Sequence, residues 1–107
     1  MDGLHDMKLF IDTSDSEKIV IGLDGQRFET ESKKEKSQRL LPFIIETLES
    51  SGKSMDDITE IEVNTGPGSF TGLRVGVSVA NAIGYAKNIP VNGKLASRGE
   101  FVEIEYK

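Results

Sequence analysis

Residues 58–88, ITEIEVNTGPGSFTGLRVGVSVANAIGYAKN, place a strand, a glycine-rich turn and a helix in unbroken succession. No other stretch restricts the possible folds as much. Residues 58–65 read as a strand, and the turn after it sets Gly66, Pro67 and Gly68 ahead of Ser69, Phe70 and Thr71. Thr71 is expected as the helix N-cap, its hydroxyl accepting from a free first-turn amide. Gly72, Gly76, Ala80 and Gly84 then recur at every fourth position, one stripe along about 18 Å of helix. Three glycines cost a helix about 2–3 kcal/mol relative to alanine, so a close neighbour must offset them. Such a smooth stripe favours a helix–helix contact tighter than the usual separation of about 8–10 Å. The neighbour is either the first helix of this chain or a helix of a second molecule. Leu73, Val77 and Ile83 lie on the other side and suit packing on a sheet.

The turn matches neither common phosphate-binding motif. A P-loop needs a lysine after its second glycine, and none lies in the loop or the first helical turns. A dinucleotide fingerprint needs G-x-G-x-x-G and an acid about 20 residues on. Here Gly66, Gly68 and Gly72 are spaced G-x-G-x-x-x-G, with no acid downstream before Glu100. The simpler reading is a tight strand-to-helix turn, with Gly66 and Gly68 at positive φ and Pro67 stiffening the bend.

Upstream, KLFIDT (8–13) is a short apolar run closed by turn formers. EKIVIGLDG (17–25) is β-branched and ends in Asp-Gly, a strong hairpin signal, and QRFETES (26–32) is its polar return. Together they predict an antiparallel meander. In SQRLLPFIIETLESSG, Leu41, Ile44, Ile45 and Leu48 recur at helical spacing. Gly52 suits the position past the helix end, and Pro42 belongs in a first turn or at a kink. SMDD (54–57) resembles a capping box for a single turn. Downstream, IPVNGK reads as a strand, and the alternation in EFVEIEYK suggests one more edge strand. The expected order is βββαβαβ with an extra terminal strand, an α/β layer arrangement.

With 107 residues there is room for one domain. Residues 1–6 read as a loose polar leader, unlike a secretory signal, and no stretch reaches the apolar length of a membrane span, so a cytoplasmic address is expected. The chain has no cysteine, and its single histidine, His5, lies in the leader, so thiolate and histidine metal sites are not expected. The net charge of −5 argues against independent binding of nucleic acid. SKKEKSQR (32–39) is the one basic patch, read as a solvated helix start.

The strings LFIDTS, SQRLLPFIIETLESSG and GPGSFTGLRVGVSVANAIGYAKNIPV resemble the amino-terminal domain of the TsaB (YeaZ) family, in the glycoprotease-like branch of the actin-like ATPase superfamily. The resemblance covers residues 7–93, within a single lobe at 7–107. It implies a half-actin, ribonuclease H-like lobe: a mixed five-stranded sheet in the order 3-2-1-4-5 with helices packed on it. It also implies a non-catalytic subunit that binds a TsaD-like enzyme through its two helices during tRNA threonylcarbamoyladenosine (t6A) modification. The implied interface comprises Leu41, Ile45, Leu48, Gly72, Arg74, Gly76, Ala80, Ile83 and Gly84. On this reading Gly76→Leu abolishes the complex and leaves the fold mostly intact.

Three departures stand out. Lys36 occupies the place where relatives carry histidine, the second lobe is absent, and LASRGEFVEIEYK replaces the usual continuation after IPVNGK. The chain thus looks like a minimal single-lobe form or an excised domain. Asp12, Thr13 and Ser14 match the first phosphate turn of the superfamily, with Ser14 where a glycine is expected. The resemblance therefore implies no nucleotide on this chain alone and at most ATP or ADP shared at the junction with TsaD. Further implied partners are a TsaE-like ATPase, a second copy in a homodimer, and tRNA only indirectly. The competing functions are a self-associating module without TsaD and a nucleotide-dependent hydrolase or peptidase.

Overall fold

A computed structural model describes residues 6–32 and 35–105. Residues 1–5 of the expected leader, with His5, and part of the basic patch lie outside them, as does Tyr106.

The three expected strands of the meander form as β1 (Met7–Asp12), β2 (Lys18–Leu23) and β3 (Gln26–Glu31). Leu23 pairs with Gln26 across Asp24-Gly25, both at positive φ, as a two-residue hairpin turn requires. Helix α1 (Lys36–Ser50) follows, then a 3₁₀ turn at Met55–Asp57, β4 (Ile58–Val63) and helix α2 (Phe70–Lys87). The capping box of the short turn is present, with the Ser54 amide donating to Asp57 Oδ2 at 2.8 Å. Pro42 sits inside α1 rather than in its first turn.

The sheet order is β3-β2-β1-β4, with β4 parallel to β1 and the other pairs antiparallel. The architecture is the expected α/β lobe, with four strands among the described residues instead of five. The expected fifth strand is reduced to one parallel bridge between Val91 and Ile61. Asn92 explains why it stops there. Its backbone turns to positive φ, and its carboxamide accepts from the Val63 amide at 2.8 Å and donates to the Val63 carbonyl at 3.0 Å. A side chain thus takes the hydrogen bonds that a continuing strand would have made. Residues 101–105 are irregular rather than a strand.

The period-two pattern decides which side is buried. Leu9, Ile11, Ile19, Ile21 and Ile61 enter one core with Leu40, Ile44 and Leu48 of α1 and Val77, Ala80 and Ile83 of α2. The alternate residues, Lys8, Phe10 and Asp12 of β1 among them, turn to the other side, where Lys8 pairs with Glu62 at 3.1 Å. Among the described residues no helix is long and apolar enough to cross a membrane.

Candidate functional site: the β1–α2 junction and the exposed helix face

The C-terminal end of β1, the glycine turn and the start of α2 meet in a dense polar junction. Asp12 Oδ1 accepts from the Ser14 amide at 2.9 Å and from Asn64 Nδ2 at 3.1 Å. Burial pushes the Asp12 carboxyl up, but hydrogen bonds from Ser14 and Asn64 and the charge of Arg27 outweigh it and hold the group below its ordinary value. Thr13 is fully buried. Its hydroxyl donates to the Gly72 carbonyl at 2.5 Å and accepts from the Gly76 amide at 3.1 Å, bridging the two ends of one helical turn. Ser14 accepts at its carbonyl from the Ser69 amide at 2.8 Å.

These contacts also account for the glycines. Gly66 and Gly68 have positive φ, as their sequence predicts, and the Gly66–Pro67 peptide is cis. A Cβ on Gly68 would lie 2.5 Å from that of Ser14. A Cβ on Gly72 would collide with the Thr13 carbonyl, one on Gly76 with the Thr13 hydroxyl, and one on Gly84 would sit 2.5 Å from Val91 Cγ2. The glycine stripe therefore seats α2 on β1 and on the segment beside β4. The expectation of a helix–helix interface along it is corrected, because Thr13, Ile11 and Val91 of this chain already fill the space. Ala80, Ile83 and Leu48 are likewise buried inside the chain. The N-cap is corrected as well: Ser69, not Thr71, accepts from the Gly72 amide at 3.2 Å.

As a phosphate cradle, Asp12, Thr13 and Ser14 fit poorly. Ser14's amide is engaged by Asp12, the Thr13 hydroxyl is closed inside the junction, and the one charged group present is an anion.

Of the expected interface residues, Leu41, Ile45 and Arg74 reach the surface. Leu41 and Ile45 stand one turn apart on α1, 40% and 39% exposed. On α2, Phe70, Arg74 and Ser78 form an outward stripe, with Tyr85 two turns on. The Arg74 guanidinium lies 5.7 Å from the centroid of the Phe70 ring. Val75 and Val79 are half-buried between this stripe and α1. A surface groove of about 340 Å³ runs between Ser37 of α1 and Phe70, Arg74, Val75 and Val79 of α2. Phe70 was expected only as part of the turn, and Ser78 and Tyr85 were not expected. The i, i+4, i+8 repeat of residues 70, 74 and 78 carries the signal, but the more conspicuous glycine repeat masks it.

A family model described as TsaD, tRNA N6-adenosine threonylcarbamoyltransferase, matches residues 29–93. The tRNA threonylcarbamoyladenosine biosynthesis protein TsaB of Escherichia coli K12 is 38% identical over 60 residues, which are 56% of this chain and 26% of that protein. TsaB of Bacillus subtilis 168 is 35% identical over the same shares. The solved structure of YeaZ from Pseudomonas aeruginosa superposes with a TM-score of 0.70 at 29% identity, covering 80% of this chain and 42% of that one. The chain thus spans about a quarter of the curated relatives it matches. With more than half of its residues inside the family model, and with TsaB and YeaZ similar to it in sequence and fold, the chain belongs to the TsaD family and is TsaB/YeaZ-like.

Proposed function

We propose that this chain is a non-catalytic partner in tRNA threonylcarbamoyladenosine modification, docking a TsaD-like enzyme through the outward side of α1 and α2. The observation that carries this reading is the exposed apolar surface itself. Leu41, Ile45, Phe70 and Tyr85 lie outside the core on two adjacent helices, at 40%, 39%, 47% and 68% exposure. Together they make the sort of apolar surface that marks a protein contact. Aromatic and arginine side chains are the usual anchors of such contacts, and Phe70, Arg74 and Tyr85 supply them. The names of the relatives supply the pathway.

On this reading the chain transfers no group itself. The engaged turn at Asp12, Thr13 and Ser14 leaves any phosphate contact to the partner's side of the junction. Self-association of the same helices is a second reading, favoured by the same exposed residues, with the homodimer as the form that the enzyme replaces.

The test is light scattering with size-exclusion chromatography, on the chain alone and mixed with the TsaD-like protein of the same source. A mixed complex is expected, and Leu41→Glu with Ile45→Glu should abolish it without lowering the melting temperature. A wild-type chain that ignores the enzyme would overturn the reading.

A further inference from the structure

Residues 100–105 lie beyond the family resemblance, yet a single side chain fastens them to α2. Asn81 Nδ2 donates to the Val102 carbonyl at 2.9 Å, and Asn81 Oδ1 accepts from the Val102 amide at 3.1 Å. Val102 is buried with the core, and the Glu105 amide donates to the Thr65 carbonyl at 3.0 Å. On either side of Val102 the segment stays open: Phe101 is exposed and Ile104 half-buried. Between the segment and α2 runs a groove of about 380 Å³, with Phe70, Arg74 and Ser78 on the helix side, Glu103 and Ile104 opposite, and Val77 at its base.

We infer that residues 100–105, latched by Asn81, form the second wall of a docking groove on α2 whose occupant is an amphipathic helix of the TsaD-like partner. This inference rests on the docking reading above and extends it to a third element. The groove is continuous with the outward stripe, because Phe70, Arg74 and Ser78 line both it and the groove towards α1. Its charges fix the occupant's polarity: an acidic residue faces Arg74 and a basic one faces Glu103, about an apolar ridge that meets Phe70 and Ile104. A helix fits better than an added strand. One wall of the groove is α2, whose backbone groups bond within the helix, so an occupant there meets side chains and finds no strand edge to pair with. Asn81 is the side chain that ties Val102 to the helix. Asn81→Asp replaces a donor with a carboxylate oxygen facing the Val102 carbonyl.

The test combines hydrogen exchange with calorimetric titration of the purified TsaD-like enzyme, on the wild-type chain, Asn81→Asp and Glu103→Lys. In Asn81→Asp, protection of the Val102 amide should fall about tenfold while the Ile11 and Ile61 amides keep theirs, and the enzyme should bind about tenfold more weakly. Glu103→Lys, a change at an exposed side chain, should leave Val102 protected and still weaken binding severalfold. Unchanged Val102 protection in Asn81→Asp would refute the latch. A released segment with undiminished binding, or Glu103→Lys binding like wild type, would refute the wall while leaving docking on α1 and α2 intact. A wild-type chain that binds no enzyme would overturn the docking reading and this inference with it.

Discussion

Thr13 joins strand to helix through one hydroxyl, and the surrounding residues are fitted to that bond. Replacing it by valine keeps the shape and removes the bridge between the Gly72 carbonyl and the Gly76 amide. The expected loss is about 1–3 kcal/mol, read from the shift in the urea midpoint. Gly76→Ala tests the same contact from the other side. By helix propensity alone it should stabilise by about 1 kcal/mol. Its methyl would instead press on the Thr13 hydroxyl and lie 3.4 Å from Ile11 Cγ2, so a net loss of about 1–3 kcal/mol is expected. Gly76→Leu should therefore disrupt folding before it disrupts any complex. Asp12 adds a pH dependence. Its carboxyl is held below the ordinary value of 3.8, so its contribution is present above that pH and is lost as pH falls through the folded value. Melting temperatures measured from pH 6 down to 2 should fall at the acid end, and Asp12→Asn should flatten that fall.

At the scale of elements, α2 shows how far the sequence can be read. Its existence, its length and the glycine turn before it follow from composition and spacing, as do the meander and the Asp-Gly hairpin. Which way it faces does not follow. A bare stripe states that something approaches closely, and a carbonyl or hydroxyl of a strand satisfies it as well as another helix does. Thr13 decides the matter, and nothing in LFIDTS marks its hydroxyl as the one that α2 will meet 59 residues later. The missing fifth strand and the latch share a cause: Asn92 and Asn81 each bind both backbone groups of a remote residue, a pairing with no local pattern. The outward stripe of α2 has a 70–74–78 spacing, but only Arg74 of it was expected at an interface, because the glycine repeat masks the rest. Arg74→Ala and Tyr85→Ala should each change stability by less than about 0.5 kcal/mol in thermal melts, since both side chains lie outside the core. Their effect is expected in the enzyme titration instead, as a weakening of about tenfold or more.

Taken as a whole, the lobe has helices on the core side of its sheet and carries a net charge of −5. Its surface ion pairs, such as Lys8 with Glu62 and Arg27 with Glu29, are exposed and contribute little to stability. The negative balance sets what the chain does alone. Binding to polyanions draws on counterion release by clustered cations, and a net acidic molecule gains little from it. In gel-shift assays at physiological salt, tRNA should not be retarded by this chain by itself. It should be retarded when the TsaD-like enzyme is added, with the chain carried in the same band. Retardation by the chain alone would count against an indirect role for RNA.

The bare inner side of α2 has one more consequence, for how fast it meets a partner. Helices that rest on long side chains can slide or roll as those chains change rotamer. Here main chain lies on main chain at Gly72 and on the Thr13 hydroxyl at Gly76, so at these two points α2 has no side chain of its own to reset. The azimuth of the outward stripe is fixed in the free molecule, and its anchors are aimed before any encounter. Association should then show a single exponential phase whose rate rises linearly with enzyme concentration, without the plateau that a preceding rearrangement imposes.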